Sequence, residues 1–556
     1  MSKFNAKERK NIVNSLKGKE FDLLVIGGGI TGAGIALDAA SRGLNVLVLE
    51  KKDFAFGTSS RSTKLVHGGL RYLEQFEFGL VHEVGTERAI VHHNAMHIVI
   101  PSQMLLPIIQ GGTLNKFMTS IGLTIYDFLA GVKKSERKKM LSREKTIEIE
   151  PVLDSPKLKS GALYYEYKTD DSRLTVEVMK KANEYGAQAL NYAEVTDFIY
   201  DSKGKMIGLK VEDKIQGLSF EVFGKYIVNA TGIWVDKLRE KDNSLKGKRL
   251  HITKGIHIVV PHEKLPINHA LYFDVGDGRM VFAIPRYDKV YIGTTDTDYK
   301  GDLDKPDITA ADVEYLLKAV KHIAPSIDLT FDDVLSAWSG LRPLIHQEGK
   351  APSELSRRDE IFLSDSGLIS IAGGKLTGYR QMAKKVVDLV RKEMKKDYGN
   401  DIGTCKTKNI KLAGGEFDFE YSPEKLMDFA DMKYDLAKQT GISVEKFKRL
   451  FYRYGTNIDK ITERAYKYYN EEKNTDLAWL KAEIEYSVEE ELAYTLTDFF
   501  MRRTNLIYFF VDEIYPVLDT AADFMQSLLD WSDEQKKAYL DEMKYELDKT
   551  KNWRTK

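Results

Sequence analysis

Gly27, Gly29 and Gly32 form a Gly-x-Gly-x-x-Gly pattern directly after the apolar run Phe21 to Ile26, and Glu50 closes a second apolar run, Asn45 to Leu49. Residues of these types at this spacing suit a dinucleotide. Gly27 permits a tight turn. Gly29 lets backbone approach a pyrophosphate with no Cβ between them, and Gly32 lets the following helix pack closely on the strand. The N–H groups at the start of that helix, Ala33 to Arg42, face the phosphates. Glu50 is placed to accept hydrogen bonds from both hydroxyls of an unphosphorylated adenosine ribose. A lone Gly-x-Gly-x-x-Gly is often only a turn; here strand, helix, second strand and acid supply the context the motif requires.

Three further segments could extend this cradle. Thr58, Ser59 and Ser60 bring hydroxyls and amides toward a second portion of a long cofactor, although a Ser/Thr cluster is commonly a plain loop. Ala230 and Gly232, in Asn229-Ala230-Thr231-Gly232, end a strand with small residues, so backbone can lie against a flat ring or the adenosine half. In ISIAGGKLTGYR a strand ends in Gly373-Gly374, and Lys375, Leu376 and Thr377 begin a helix. A helix N-terminus with a lysine beside it stabilises negative charge.

Arg71, Arg342 and Arg358 sit beside glycine- or turn-rich segments. Arginine reads phosphate or carboxylate through paired hydrogen bonds, although a single arginine is more often a surface group or an ion-pair partner. His67 in HGG and His257 in KGIHIVV have the most site-like surroundings for a general base. A histidine in a strand is nonetheless more often structural. The other nine of the eleven histidines lack metal-ligand spacing, so no metal is expected.

The elements that must position these groups follow from length and pattern. A chain of 556 residues accommodates two or three domains. Basic and acidic residues number 83 each, so net charge gives no general reason to expect nucleic acid. The single cysteine, Cys405, excludes an internal disulfide framework and suits a reducing cytoplasm. The polar N-terminus has no apolar core of a secretory signal, and no run of 18 apolar residues predicts a transmembrane helix.

Up to about residue 95 the chain is glycine-rich and α/β; from about 96 to 400, short β-rich runs alternate with turns. These runs include Tyr226 to Asn229, Ile256 to Val260, Val281 to Ile284, Val290 to Ile292 and Leu368 to Ile371. Beyond residue 416 only Gly441 and Gly455 interrupt a helical pattern, which predicts an all-helical domain whose aromatics form a core. Leu114 to Gly131 is amphipathic, and Lys133, Lys134, Arg137, Lys138 and Lys139 follow it. This pairing suits docking on an anionic leaflet, or equally a core helix followed by a solvated loop.

In order, GGGITGAG, TSSRSTKLVHGGLRYLE, NATGIW, KGIHIVVP, IGTTDTD, GLRPL, SRRDE and GGKLTGYR resemble the FAD-dependent, respiratory glycerol-3-phosphate dehydrogenases. The resemblance covers about residues 20–385 and resumes at EELAYTLTDFFMRRTNL. It implies an α/β fold with an FAD-binding Rossmann-like domain of glutathione-reductase type, a β-rich substrate domain and an all-helical C-terminal domain. The FAD-binding domain is expected over 1–400, with substrate-binding cap segments at roughly 96–150 and 250–340, and the helical domain over 401–556.

By matching motif, Arg71 and Tyr72 line the substrate site, and Arg342 and Arg358 contact the phosphate or its neighbouring hydroxyl. His257 lies near the reacting carbon and Lys375 near the flavin, where negative charge develops on reduction. Arg61, in SRS, departs from a more hydroxyl-rich pattern and is expected near the pyrophosphate.

The implied reaction moves a hydride from carbon 2 of sn-glycerol 3-phosphate to flavin N5, giving dihydroxyacetone phosphate. His257 is the favoured base with Arg342 holding the developing alkoxide; His67 or a water are the alternatives. A membrane quinone is the expected acceptor, with cytoplasmic location and peripheral contact at the inner face of the cell membrane, no nucleic-acid partner, and room for a homodimer. The family's oxidases, which use oxygen, carry an inserted segment between the motifs of Arg342 and Arg358, whereas only fifteen residues separate them here. An amino-acid oxidase would need one arginine rather than several, and a flavin-binding structural protein would leave the polar groups around the cofactor without use.

Overall fold

A computed structural model describes residues 4–68, 78–112, 116–129, 136–347 and 359–555. The apolar runs Glu20–Ile26 and Val46–Leu49 are adjacent parallel strands, and the end of Leu218–Asn229 lies on the other side of the first, with Ile26 opposite both Leu49 and Asn229. Their interiors are almost wholly apolar, as parallel strands covered on both faces must be. Leu368–Ala372 and Gln188–Leu190 extend this sheet in opposite directions, Glu360–Leu363 adds an antiparallel edge, and Ala193–Tyr200 and Met206–Asp213 form a hairpin on Leu218–Asn229. Helix Ile30–Ser41 packs against both Asp171–Glu184 and Tyr379–Tyr398.

A second, ten-stranded sheet carries the other β-rich runs. It combines Ile100–Ile109, Leu158–Lys168 and the two-residue strand Leu65–Val66 with strands between Lys248 and Gln347. Its longest ladder pairs Lys248–Pro261 with Ser336–Gln347, antiparallel. That register sets His257 opposite Trp338 and Thr253 opposite Arg342. All five of the short runs read from sequence lie within observed strands.

From Pro423 onward the described chain is helical. Ser422, Ser443, Asn474 and Ser532 each cap a helix by accepting a backbone N–H. Phe499, Phe500 and Phe509 are buried as core, while Phe510 is half-buried. Buried charges fasten these helices to the rest. Asp53, which follows the Glu50 strand, accepts from Arg502 at 2.6 Å and Arg503 at 2.7 Å, and Arg173 binds Glu491. Burial works against ionisation of Asp53, but Arg503 and Arg502 prevail and hold its carboxyl low.

Helix Lys116–Leu129 buries Thr119, Leu123, Tyr126 and Asp127 and leaves Phe117 73% and Ile121 40% exposed. Lys138 donates to the Ser120 carbonyl at 2.6 Å, and its amide to Asp127 at 2.9 Å, folding the end of the basic run back onto this helix. Lys133 and Lys134 lie outside the described residues. No helix among the described residues is long and apolar enough to cross a membrane.

Candidate active site

A cavity of about 450 Å³ runs over the ends of the parallel strands, lined by Gly27, Gly29, Glu50, Thr58, Ser59, Ala230, Gly232, Gly374, Lys375 and Leu376 among others. This is where ligands bind in open α/β sheets. Gly29 caps helix Ile30–Ser41 without a side-chain cap, leaving the helix start toward the cavity, and the Ile30 amide donates to Ser59 Oγ at 3.0 Å. Gly32 lines no part of the cavity. A Cβ there would fall 1.9 Å from the Gly27 carbonyl oxygen, so it serves the helix-to-strand packing expected of the third glycine.

Glu50 accepts from the amides of Gly28 at 2.7 Å and Lys52 at 2.9 Å. Burial nevertheless raises its carboxyl above the usual range, the two amides opposing. A ribose hydroxyl donating to it would further stabilise the charged form. Trp234, covered by Lys51 at 4.2 Å, adds an aromatic wall. Glycine-lined backbone, an exposed helix start, an acid and an aromatic wall fit an unphosphorylated dinucleotide of flavin type.

A second cavity, of about 390 Å³, shares Thr58, Ser62, Pro343, Gly374, Lys375 and Leu376 with the first, so the two are continuous. The long ladder brings both His257 and Arg342 to its wall. His257 is 2% exposed and stacks on Trp338 with centroids 4.7 Å apart and planes 9° apart. Its Nε2 lies 3.0 Å from Thr63 Oγ1, and its buried Nδ1 has no hydrogen-bond partner among the described residues. Burial, then the charges of Arg342 and Lys64, push its pKa well below the usual imidazole range. The ring is therefore neutral at pH 7.

Arg342 donates to Asp296 at 3.0 Å, to the Thr295 carbonyl at 3.2 Å and to Thr294 Oγ1 at 2.9 Å. Two glycines make room for these side chains. A Cβ at Gly255 would lie 2.4 Å from an Arg342 nitrogen, and one at Gly293 would lie 2.1 Å from His257 Cδ2. His67 also lines this cavity, its backbone exchanging 3.0 Å hydrogen bonds with the Thr377 hydroxyl. Glu166, also in this wall, accepts from Arg88 at 2.9 Å, whose charge offsets its own, and from the Tyr126 hydroxyl at 2.8 Å.

The structure thus gathers His257, Arg342, Lys375 and Thr377 around one cavity and the cradle residues around the other. Ser60 is buried and lines neither. Arg61 lies against Phe56 at 5.1 Å and lines the smaller cavity, not the dinucleotide cavity, because its carbonyl is packed against Gly340 of the ladder. Arg71, Tyr72 and Arg358 fall outside the described residues. Sequence reasoning did not single out Thr63, Tyr164, Glu166, Tyr272 or Arg279 as wall residues. The only signal for Thr63 was its place between Arg61 and His67; the others carry no local motif.

Residues 22–380 match the family described as FAD dependent oxidoreductase, and residues 405–536 match the C-terminal domain of alpha-glycerophosphate oxidase. The chain is 50% identical over 541 residues to the aerobic glycerol-3-phosphate dehydrogenase of Bacillus subtilis (strain 168), covering 97% of each. It is 48% identical over 537 residues to the protein of that name from Staphylococcus aureus (strain COL), covering 96% of each. Among solved structures, the glycerol-3-phosphate dehydrogenase of Bacillus halodurans, complexed with FAD, matches at a TM-score of 0.84 and 41% identity over 99% of each chain.

Proposed function

The chain belongs to the FAD-dependent oxidoreductases and, within them, to the aerobic glycerol-3-phosphate dehydrogenases; from that membership we propose that it oxidises sn-glycerol 3-phosphate to dihydroxyacetone phosphate and passes the electrons to a membrane quinone. The observation that carries the proposal is the continuity of the dinucleotide cavity with a smaller one walled by His257 and Arg342. FAD, when bound, supplies the hydride acceptor. Arg342 steadies the substrate's oxygen as charge develops on it, and neutral His257 takes the 2-hydroxyl proton as the C2–H electron pair leaves with the hydride. By the family motifs, Arg71 and Tyr72 line the substrate site, and Arg358 contacts the phosphate or its neighbouring hydroxyl. Binding energy from that remote dianion fixes carbon 2 in place. Lys375, at the junction of the two cavities, serves both ligands.

The test is an anaerobic titration of the purified yellow protein with glycerol 3-phosphate, followed by a soluble quinone or oxygen. Bleaching reversed rapidly by quinone and slowly by oxygen supports the dehydrogenase. Rapid return with oxygen and peroxide makes it an oxidase, and no bleaching removes the substrate. Glu50→Ala is expected to lower the flavin-to-protein absorbance ratio after gel filtration; full retention would remove Glu50 from the ribose.

We further assign membrane contact to the face of helix Lys116–Leu129 bearing Phe117 and Ile121, with Lys138 held on Ser120 of the same helix and Arg137 and Lys139 flanking it in sequence. Apolar side chains next to cations suit insertion at an anionic leaflet without spanning it, placing the enzyme peripherally on the cytoplasmic face. Replacing both Phe117 and Ile121 with aspartate is expected to reduce co-sedimentation with phosphatidylglycerol vesicles by about tenfold or more, since each loses roughly 1.5–3 kcal/mol of apolar burial. Unchanged sedimentation would exclude this face.

A further inference from the structure

Where the ten-stranded sheet meets the C-terminal helices lies a further cavity of about 280 Å³, which shares no wall residue with the two above. Its charged walls are Lys168 and Arg286 from the sheet, Arg453 from the helices, and Asp170. Arg453 is matched by Glu483 at 2.5 Å. Arg286 is anchored on the Thr169 carbonyl at 2.7 Å and lies over Phe509 at 4.9 Å, with Asp170 as the carboxylate that offsets it. Lys168 has no such match among the described residues. Its ammonium reaches only the Pro285 carbonyl, at 3.3 Å.

His97, fully buried in the same wall, has no hydrogen-bond partner among the described residues on either ring nitrogen. Buried polar groups such as the His97 ring nitrogens are ordinarily satisfied, and the half-buried Lys168 ammonium meets no carboxylate among the described residues. An uncompensated lysine, an arginine beside it and an unsatisfied imidazole around a cavity of this volume share one complement: a small oxyanion with several acceptor oxygens. We propose that this cavity binds inorganic phosphate or a small phosphate monoester, at a site separate from that of the substrate.

The state of Lys168 agrees. Burial and the charge of Arg286 push its ammonium down to about 8, and a bound anion would restore it. Two packed connections lead from this cavity to the substrate cavity. Phe509 packs on Trp338 at 6.0 Å, and Trp338 stacks on His257. Asn505 meets Lys64 at 3.4 Å, Lys64 pairs with Asp171, and Asp171 accepts from the Ser62 hydroxyl at 2.7 Å.

The existence of the site does not depend on the reaction proposed above, and it is tested without turnover. Wild-type holoenzyme is acetylated with acetic anhydride at pH 8 with and without inorganic phosphate, and modification of Lys168 is read by mass spectrometry. Lys549, also lowered to about 8 by burial, is the internal reference because it lies outside the cavity. At ten times its Kd, phosphate is expected to protect Lys168 about tenfold by mass action and leave Lys549 unprotected. Methyl phosphate is the second probe; tighter protection by one or the other identifies the monoester or the free ion. Equal acetylation of Lys168 with and without both probes overturns the site.

Equilibrium dialysis with radiolabelled phosphate gives an independent check. The wild type and Lys168→Arg are each expected to bind one equivalent more than Lys168→Met, and equal binding by wild type and Lys168→Met would also overturn the site.

Discussion

His257→Ala is expected to lower kcat about a hundredfold or more while the purified protein keeps its flavin spectrum. A positioned base contributes roughly 10²- to 10⁴-fold, and His257 lines only the smaller of the two continuous cavities. Stacking on Trp338 and contact with Thr63 hold the ring in one orientation. Its low pKa comes from burial and from Arg342 and Lys64, so a dianionic substrate, which opposes those charges, raises it. The free enzyme thus keeps His257 deprotonated throughout and above the usual imidazole range, and kcat/KM shows no loss from its protonation there. The acid limb belongs to kcat, where it falls as pH drops through the raised value, and it disappears in the variant. Near-normal kcat with an unaltered acid limb would transfer the role to His67 or to water.

Arg342→Ala is expected to cut kcat/KM by about 10²- to 10³-fold, the loss associated with one donor to a developing oxyanion. The variant also removes the guanidinium that Asp296 now meets at 3.0 Å, which lowers the positive charge facing an anionic substrate. Both effects act in the same direction. Arg342→Lys restores the charge but not the planar fork and is expected to fall between the two. Activity within about threefold of the wild type in Arg342→Ala would remove this side chain from the site, because the loss of a single such donor is far larger.

The dinucleotide cradle was legible because its parts are local. Strand, glycines, helix and Glu50 span only residues 21–50, and each glycine has a steric reason that holds whatever surrounds it. His257 and Arg342 could be named separately, but their meeting depends on a ladder joining residues 85 apart, which no local pattern encodes. The same long-range pairing hid Leu158–Lys168, which pairs with Ile100–Ile109 and brings Tyr164 and Glu166 to the cavity wall. The place of Arg61, expected near the pyrophosphate, has a related reason. Ser59 faces the larger cavity and Thr58 both, but the turn that follows carries Arg61 to the smaller one.

The buried pairing of Asp53 with Arg502 and Arg503 bears on how the enzyme is made. Asp53 follows strand Val46–Leu49 closely, yet its counter-charges are encoded some 450 residues later. Breaking a buried pair by removing one partner costs about 3–5 kcal/mol. A fragment ending before Arg502 lacks both counter-charges together with the segment that covers Asp53, so the link between the first 60 residues and the C-terminal helices forms only once nearly the whole chain is present.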